Sequence, residues 1–239
     1  MVQSLIVSGF LLFNLVACTS VKSPSDNTYA KDFHPIEPPA KIVILPVEDQ
    51  YKELAKGKPI IVAEISGQLG NLGYQSLVFD ESSYEKLRNE AIEKTGGLYD
   101  SRSGKMNTAQ ETKAAQFLIT AVSTQTECSL ILSPRIVLKT VKLSNDSASW
   151  DGVQRRLRVL FGGTYGQTWS GETKAVSVEL KGYRPDGSWQ FTSYGGISLI
   201  FDVDMREPKN KIRQDLFDDK REIKEAVELV LRPLRDAQL

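Results

Sequence analysis

An α/β fold, with one mixed β-sheet and helices packed on it, is predicted by three features of this 239-residue chain. Its first half alternates β-branched runs with helically spaced apolar residues in the order β-α-β-α-α-β, a pattern that lays helices on a sheet. Its second half is a series of strand-like runs punctuated by glycine and by the turn signal Pro185-Asp186-Gly187, which predicts antiparallel additions to the same sheet. Its last stretch is amphipathic at helical spacing and predicts a covering helix.

Met1 to Ala17 carries no charge, and Leu5 to Val16 is nearly continuous apolar sequence leading into Leu15-Val16-Ala17-Cys18. The run falls short of the ~20 apolar residues that a membrane-spanning helix needs. Small residues before a processing point mark residues 1–17 as a removable signal peptide. Leu-Val-Ala-Cys resembles the lipobox of bacterial lipoproteins, which implies that Cys18 becomes an acylated, palmitate-bearing first residue and a membrane anchor. Such signals normally open with Lys or Arg, whereas the first basic residue here is Lys22. Thr19 in place of Asp after the cysteine resembles outer-membrane sorting, implying a lipid-anchored protein on the periplasmic face. Residues 18–40 hold Pro24, Pro35, Pro38, Pro39 and the single histidine, His34, without periodicity. They read as the lipidated N-terminus and a flexible linker that reaches ~70 Å if extended, with His34 in solvent.

Residues 41–239 read as one α/β domain. Lys41-Ile42-Val43-Ile44-Leu45-Pro46-Val47 is a buried strand stopped by proline. Pro59 suits a first helical turn, and Ile61, Val62, Ile65, Leu69 and Leu72 recur at helical spacing up to Gly73, a C-terminal cap. A short strand covers Gln75 to Phe79. Ser82-x-x-Glu85 and Thr108-x-x-Glu111 are capping-box patterns before two helices, one closed by Gly96-Gly97 and the other carrying Ala114, Phe117, Leu118 and Val122. Leu130 to Leu143 predicts a long strand with Pro134 at an edge or bulge. Gln154–Phe161, Lys174–Tyr183, Ser188–Tyr194 and Ile197–Val203 are further strands, the last two parted by Gly195-Gly196. Lys211 to Asp236 places Leu216, Ile223, Val227, Val230 and Leu234 on one helical stripe, with seven basic and seven acidic residues elsewhere.

The charge is balanced, 30 basic against 30 acidic residues, so there is no basic surplus to displace phosphate counterions and nucleic acid is not an expected partner. One histidine and two cysteines leave no His pair for a metal and no base for a Ser or Cys nucleophile. No catalytic, cofactor or metal residues are therefore assigned, and the protein is expected not to be an enzyme. Asp202-x-Asp204, the nearest local carboxylate pair, reads as a strand end turning into solvent. The loop Gly96 to Lys105 lacks phosphate-loop spacing, with Tyr99 and Met106 where glycine and Ser or Thr would stand. Cys128, entering an apolar run, reads as an inert core residue.

The stretch Trp150-Asp151-Gly152 to Trp169 interleaves aromatics with glycine, a composition suited to contact surfaces. Trp150, Arg155, Phe161, Tyr165 and Trp169 are the candidate partner contacts. In the basic cluster Arg155-Arg156-x-Arg158, strand alternation puts Arg155 and Arg156 on opposite faces.

The lipobox Cys18, the linker, Ile42-Val43-Ile44-Leu45-Pro46-Val47, a helix leading to Leu72-Gly73-Tyr74, Ala148 to Leu157 and the hairpin around Pro185-Asp186-Gly187 together resemble a superfamily of envelope lipoproteins. It includes the penicillin-binding-protein activator and curli secretion lipoproteins. The resemblance covers residues 41–232. It implies an anticodon-binding-like sandwich used for protein contact or oligomer assembly, including a homo-oligomer. Two functions are expected from this: a tethered, non-enzymatic interaction or assembly module for an unidentified envelope protein, or a ring-forming subunit of an outer-membrane secretion or assembly complex.

Overall fold

The computed structural model describes residues 26–49, 51–99, 103–161, 168–204 and 211–236. Residues 1–25, expected to be the signal peptide, the lipidated Cys18 and the start of the linker, and Tyr165 lie outside the described residues. In chain order the elements are β1 (Thr28–Tyr29), β2 (Lys41–Ile44), β3 (Glu48–Asp49), α1 (Gly57–Asn71), β4 (Gln75–Val78), α2 (Glu81–Lys94) and α3 (Thr108–Thr126). They continue with β5 (Leu130–Ser144), β6 (Ser147–Trp150), β7 (Val153–Arg156), β8 (Arg158–Phe161), β9 (Gly171–Tyr183) and β10 (Trp189–Leu199). The chain closes with β11 (Phe201–Asp204), β12 (Lys211–Ile212), α4 (Lys220–Val230) and α5 (Arg232–Arg235).

The large sheet is mixed, as expected, in the order β1-β10-β9-β5-β2-β4. β2 pairs in parallel with β4 and β5, while β9 runs antiparallel to both β5 and β10. Alternation along β2 explains the layering, because successive side chains leave a strand on opposite faces. Ile42 and Ile44 join Ile61, Ile65 and Leu69 of α1 and Ile223, Val227 and Val230 of α4. Val43 and Leu45 instead meet Tyr84 and Ala91 of α2 and Leu118, Ile119 and Val122 of α3, with Cys128 buried among them as expected. The sheet is thus a central layer, with α1 and α4 on one face and α2 and α3 on part of the other.

Pro134 lies inside β5, opposite Leu180 of β9. On the other side of β5 it falls between the residues that pair with β2, ending at Leu132, and those that pair with β3, starting at Arg135. A residue without an N–H is tolerated there because no ladder bond is required of it. The turn at Pro185-Asp186-Gly187 forms as read, with the Ser188 amide donating to Asp186 Oδ1 at 2.8 Å.

Several expectations are corrected. The helix caps precede the capping boxes: Asp80 accepts from the Ser83 amide at 2.8 Å, and Asn107 accepts from the amides of Ala109 and Gln110. Ser82 and Thr108 already lie in the first turns, so a side chain one or two residues earlier reaches the open N–H groups. Residues 154–161 form two strands, because Leu157 is buried and its amide donates to the Asp146 carbonyl; β7 stays in the large sheet while β8 leaves it. β8 and β11 run parallel and, with β12, make a separate three-stranded sheet. Gly195 and Gly196 do not interrupt a strand. They lie within β10 where a Cβ would collide with the Ala226 carbonyl of α4 and with the side chains of Val153 and Trp150. The glycines are the price of close helix-on-strand packing.

The C-terminal helix begins at Lys220 rather than Lys211. Residues 214–218 form turns, Leu216 and Phe217 are buried in them, and Asp219 caps α4 by accepting from the Arg221 amide at 2.9 Å. Pro233 falls in the first turn of α5, where its missing N–H costs nothing. Residues 26–40, expected to be linker, are docked on the domain. β1 adds antiparallel to β10, Phe33 meets Phe191 edge to face with centroids 5.7 Å apart, and the Tyr74 hydroxyl donates to the Ile36 carbonyl at 2.7 Å. His34 within this segment is exposed.

Candidate functional site

The sequence-selected residues around Trp150 are placed by the β6–β7 hairpin. Asp151 and Gly152 turn it with left-handed backbone, φ 42° and 83°, a conformation that Asp and Gly tolerate better than other residues. The turn drives Trp150 into the interior, where 5% of it is exposed and its Nε1 donates to Ser177 Oγ at 3.0 Å. Ser177 donates in turn to Asp151 Oδ2 at 2.7 Å, and Asp151 Oδ1 takes Lys139 Nζ at 2.8 Å. Trp169 is half-buried against the same cluster, its amide donating to Asp146 Oδ1 at 2.6 Å. Phe161 ends β8 opposite Asp204. Its side chain, and Tyr165 altogether, lie outside the described residues.

Arg155 and Arg156 diverge as alternation predicts. Arg156 projects into solvent, whereas Arg155 reaches α4, with contacts of 2.8 Å to Glu225 and 3.2 Å to Glu222 and an Nε donation to the Ile197 carbonyl at 2.8 Å. Arg158 pairs with Asp215 at 2.6 Å and with Asp202 at 2.9 Å, and Arg213 pairs with Asp215 at 3.1 Å. Asp202 is therefore a buried member of an ion-pair network, not a strand end in solvent; its neighbour Asp204 has no described side chain. The Arg213 hydrogen bond, assisted by Arg158, holds the Asp215 carboxyl down at about 2 against the opposing effect of burial. Most of these charges pair with one another at short range, while Asp202 Oδ1 and Glu222 Oε2 are buried without a hydrogen-bond partner. Arg155 fastens α4 to β7, and Arg158 ties β8 to β11 and to the turn that holds Asp215.

A different situation holds where the α2 and α3 layer stops and the polar face of the sheet emerges. Here β5 and β9 present cross-strand pairs, Arg135 opposite Glu179 and Ser133 opposite Lys181, at the separation over which paired side chains interact. Along α2, Tyr84, Arg88, Ala91 and Ile92 share one side at spacings of three and four, and along α3 so do Glu111, Ala114, Ala115, Leu118 and Ile119. Between them and the strands is a pocket of about 190 Å³. Its apolar wall is the edge of the core beneath α2 and α3; its floor is the ionic lattice of the sheet.

The tyrosines of this pocket keep their protons. Burial, followed by the fields of Glu179, Glu48 and Glu111, pushes Tyr183 up to about 12. Burial and the neighbouring Glu48 raise Tyr84 further, and its hydroxyl donates to Glu48 at 2.8 Å. The Tyr194 hydroxyl donates to Glu179 Oε2 at 2.8 Å, and burial followed by that carboxylate raises it as well. Lys139 Nζ lies 3.8 Å from the centroid of the Tyr194 ring, within cation–π range, and also pairs with Asp26 at 2.8 Å. The polar face thus runs from the pocket to the docked N-terminal segment.

None of the pocket residues is among the candidate contacts named from sequence. The one signal available was polar residues on the outward positions of two long strands, Ser133 and Arg135 in one and Glu179 and Lys181 in the other. Their pairing depends on the β5–β9 register. Among the described residues no cluster of His, Cys, Asp and Glu has the geometry to hold a metal ion, and no helix is long and apolar enough to cross a membrane.

No family model and no curated protein sequence matches the chain. Among solved structures it is similar to two of PelC from Paraburkholderia phytofirmans, both described as dodecamers. One, carrying a single substitution, is 9% identical with a TM-score of 0.41 and covers 89% of this chain and 97% of that one. The other is 10% identical with a TM-score of 0.40 and covers 89% of this chain and 96% of that one.

Proposed function

We propose that the protein is a lipoprotein of the bacterial outer membrane, anchored through Cys18 on the periplasmic side, and that its α/β domain is a non-enzymatic interaction or assembly module. The observation that carries this reading is Leu15-Val16-Ala17-Cys18-Thr19 at the end of a 17-residue segment without charge. The docking of residues 26–40 sharpens it. Only residues 19–25 separate the cysteine from the described domain, and seven residues extend to at most ~25 Å whatever their conformation. The domain is thereby held close to the membrane, with β1 and the Asp26 end of the polar face nearest the anchor. Partner contact by the side chains selected from sequence is limited by what they already do: Trp150 fills the interior and Arg155 clamps α4.

Incorporation of labelled fatty acid into the expressed protein, followed by membrane fractionation, tests the anchor. Label in the wild type and its loss in Cys18→Ser, with release of the domain into the soluble periplasmic fraction, is the expected result. An unlabelled wild type would remove the anchor and the localisation together. Native mass of the detergent-extracted protein separates the module, a monomer or dimer, from a ring-forming subunit, which would give one large, defined oligomer.

A further inference from the structure

The pocket beside α2 and α3 contains two cations whose hydrogen-bonding capacity the fold leaves unused. Arg135 and Lys181 each approach the same oxygen of Glu179, at 3.7 Å in both cases, which is longer than an N–H···O hydrogen bond. The second oxygen of Glu179 already accepts from Tyr194. One carboxylate therefore faces two cations without hydrogen-bonding either, although a guanidinium and an ammonium together carry eight N–H donors. The contrast is with Arg155 and Arg158, whose carboxylate partners lie at 2.6–3.2 Å. Both pocket cations are about a third exposed.

We propose that this pocket binds a monoanionic ligand consisting of one carboxylate and a compact aliphatic group. The ligand carboxylate takes the place of a second acceptor between Arg135 and Lys181, where a forked guanidinium and a carboxylate match in geometry. The aliphatic group lies against Leu45, Ala114 and Leu118. The size follows from the cavity: at about 190 Å³ it is below the range that encloses drug-sized molecules and admits a group the size of one amino-acid residue. The single charge follows from the surroundings. Arg88, Arg135 and Lys181 are matched in number by Glu48, Glu111 and Glu179, so each negative charge on a ligand adds repulsion that only its hydrogen bonds to Arg135 and Lys181 offset. That favours one charge over the two of a dianion such as phosphate. This chemistry has two sources, a small free acid or the C-terminus of a polypeptide ending in an aliphatic residue. The proposal is independent of the anchor at Cys18.

The test uses N-acetyl-leucine, its primary amide, and an unstructured tetrapeptide ending in leucine as free acid and as amide, each titrated into the isotopically labelled protein. The expected result is saturable amide shifts at Ser133, Ala115 and Lys181 with the acids, at a dissociation constant below about 10 mM for so small a ligand. The amides bind at least ~10-fold more weakly, as loss of a charge-assisted contact requires. Lys181→Gln and Arg135→Gln each weaken the acids by a similar factor while the remaining spectrum reports an unchanged fold. Tighter binding of the tetrapeptide acid than of N-acetyl-leucine assigns the site to polypeptide C-termini; its exclusion assigns it to small acids. Equal binding of acid and amide, unchanged affinity in both folded variants, or the absence of shifts at these amides overturns the proposal.

Discussion

At the scale of single residues, the same side-chain type is put to different uses by burial. Trp150 is interior, wedged beside Gly196 and hydrogen-bonded to Ser177; Trp189 on β10 is one of the exposed large side chains. Trp150→Ala is expected to cost about 3–5 kcal/mol, the range for deleting a buried aromatic, read as a lower urea midpoint. Gly195→Ala is expected to destabilise by about 1–3 kcal/mol through overpacking, because the colliding atom is the backbone carbonyl of Ala226 and has no rotamer by which to yield. The same urea series checks it. Asp215 gives a pH-dependent case. Its folded carboxyl sits at about 2 against an ordinary 3.8, so its contribution is complete above the unfolded value and disappears as the pH falls through the folded one. The stability difference between wild type and Asp215→Asn is therefore expected to be largest above about pH 4 and to vanish near about pH 2, as followed by urea unfolding across that window. From the sequence, Trp150 and Arg155 were recognisable as unusual residues. Which way they point was not, because the direction depends on the left-handed turn at Asp151 and Gly152 and on the arrival of α4 from 70 residues further on.

At the scale of elements, periodicity located the helices and strands well and their ends less well. α1, α3, β4 and β9 lie close to where apolar spacing put them, since each buries a continuous stripe or run. The errors share one cause, that a boundary is set by the partner and not by the segment. β10 runs through Gly195-Gly196 because α4 packs directly on that backbone, and residues 154–161 break at Leu157 because its side chain belongs in the interior. The caps illustrate the opposite, local kind of control. Asn107→Ala, which removes the acceptor for the Ala109 and Gln110 amides, is expected to cost about 1 kcal/mol and to raise hydrogen exchange in the first turn of α3 before the rest of the helix responds.

At the scale of the whole molecule, the most consequential difference is the N-terminal segment. Its composition, proline-bearing and without periodicity, reads as linker, yet residues 26–40 complete the sheet edge through β1 and seat Phe33 and Ile36 against the interior. A chain starting at residue 41 is accordingly expected to unfold at lower urea than one starting at residue 26, with the β10 amides near Thr192 losing protection first. Equal midpoints would show that the docked segment adds nothing to the fold. By itself the sequence determined the α/β class, the late hairpin and the covering C-terminal helix, all of them consequences of short-range pattern: side-chain period and turn chemistry. Tertiary structure alone decided that β8 and β11 leave the large sheet, that the arginine cluster is consumed in clamping α4 and the small sheet, and that Arg135 and Lys181 meet over one carboxylate. Those outcomes join residues tens of positions apart, and strand register and helix packing exist only once the chain has closed on itself.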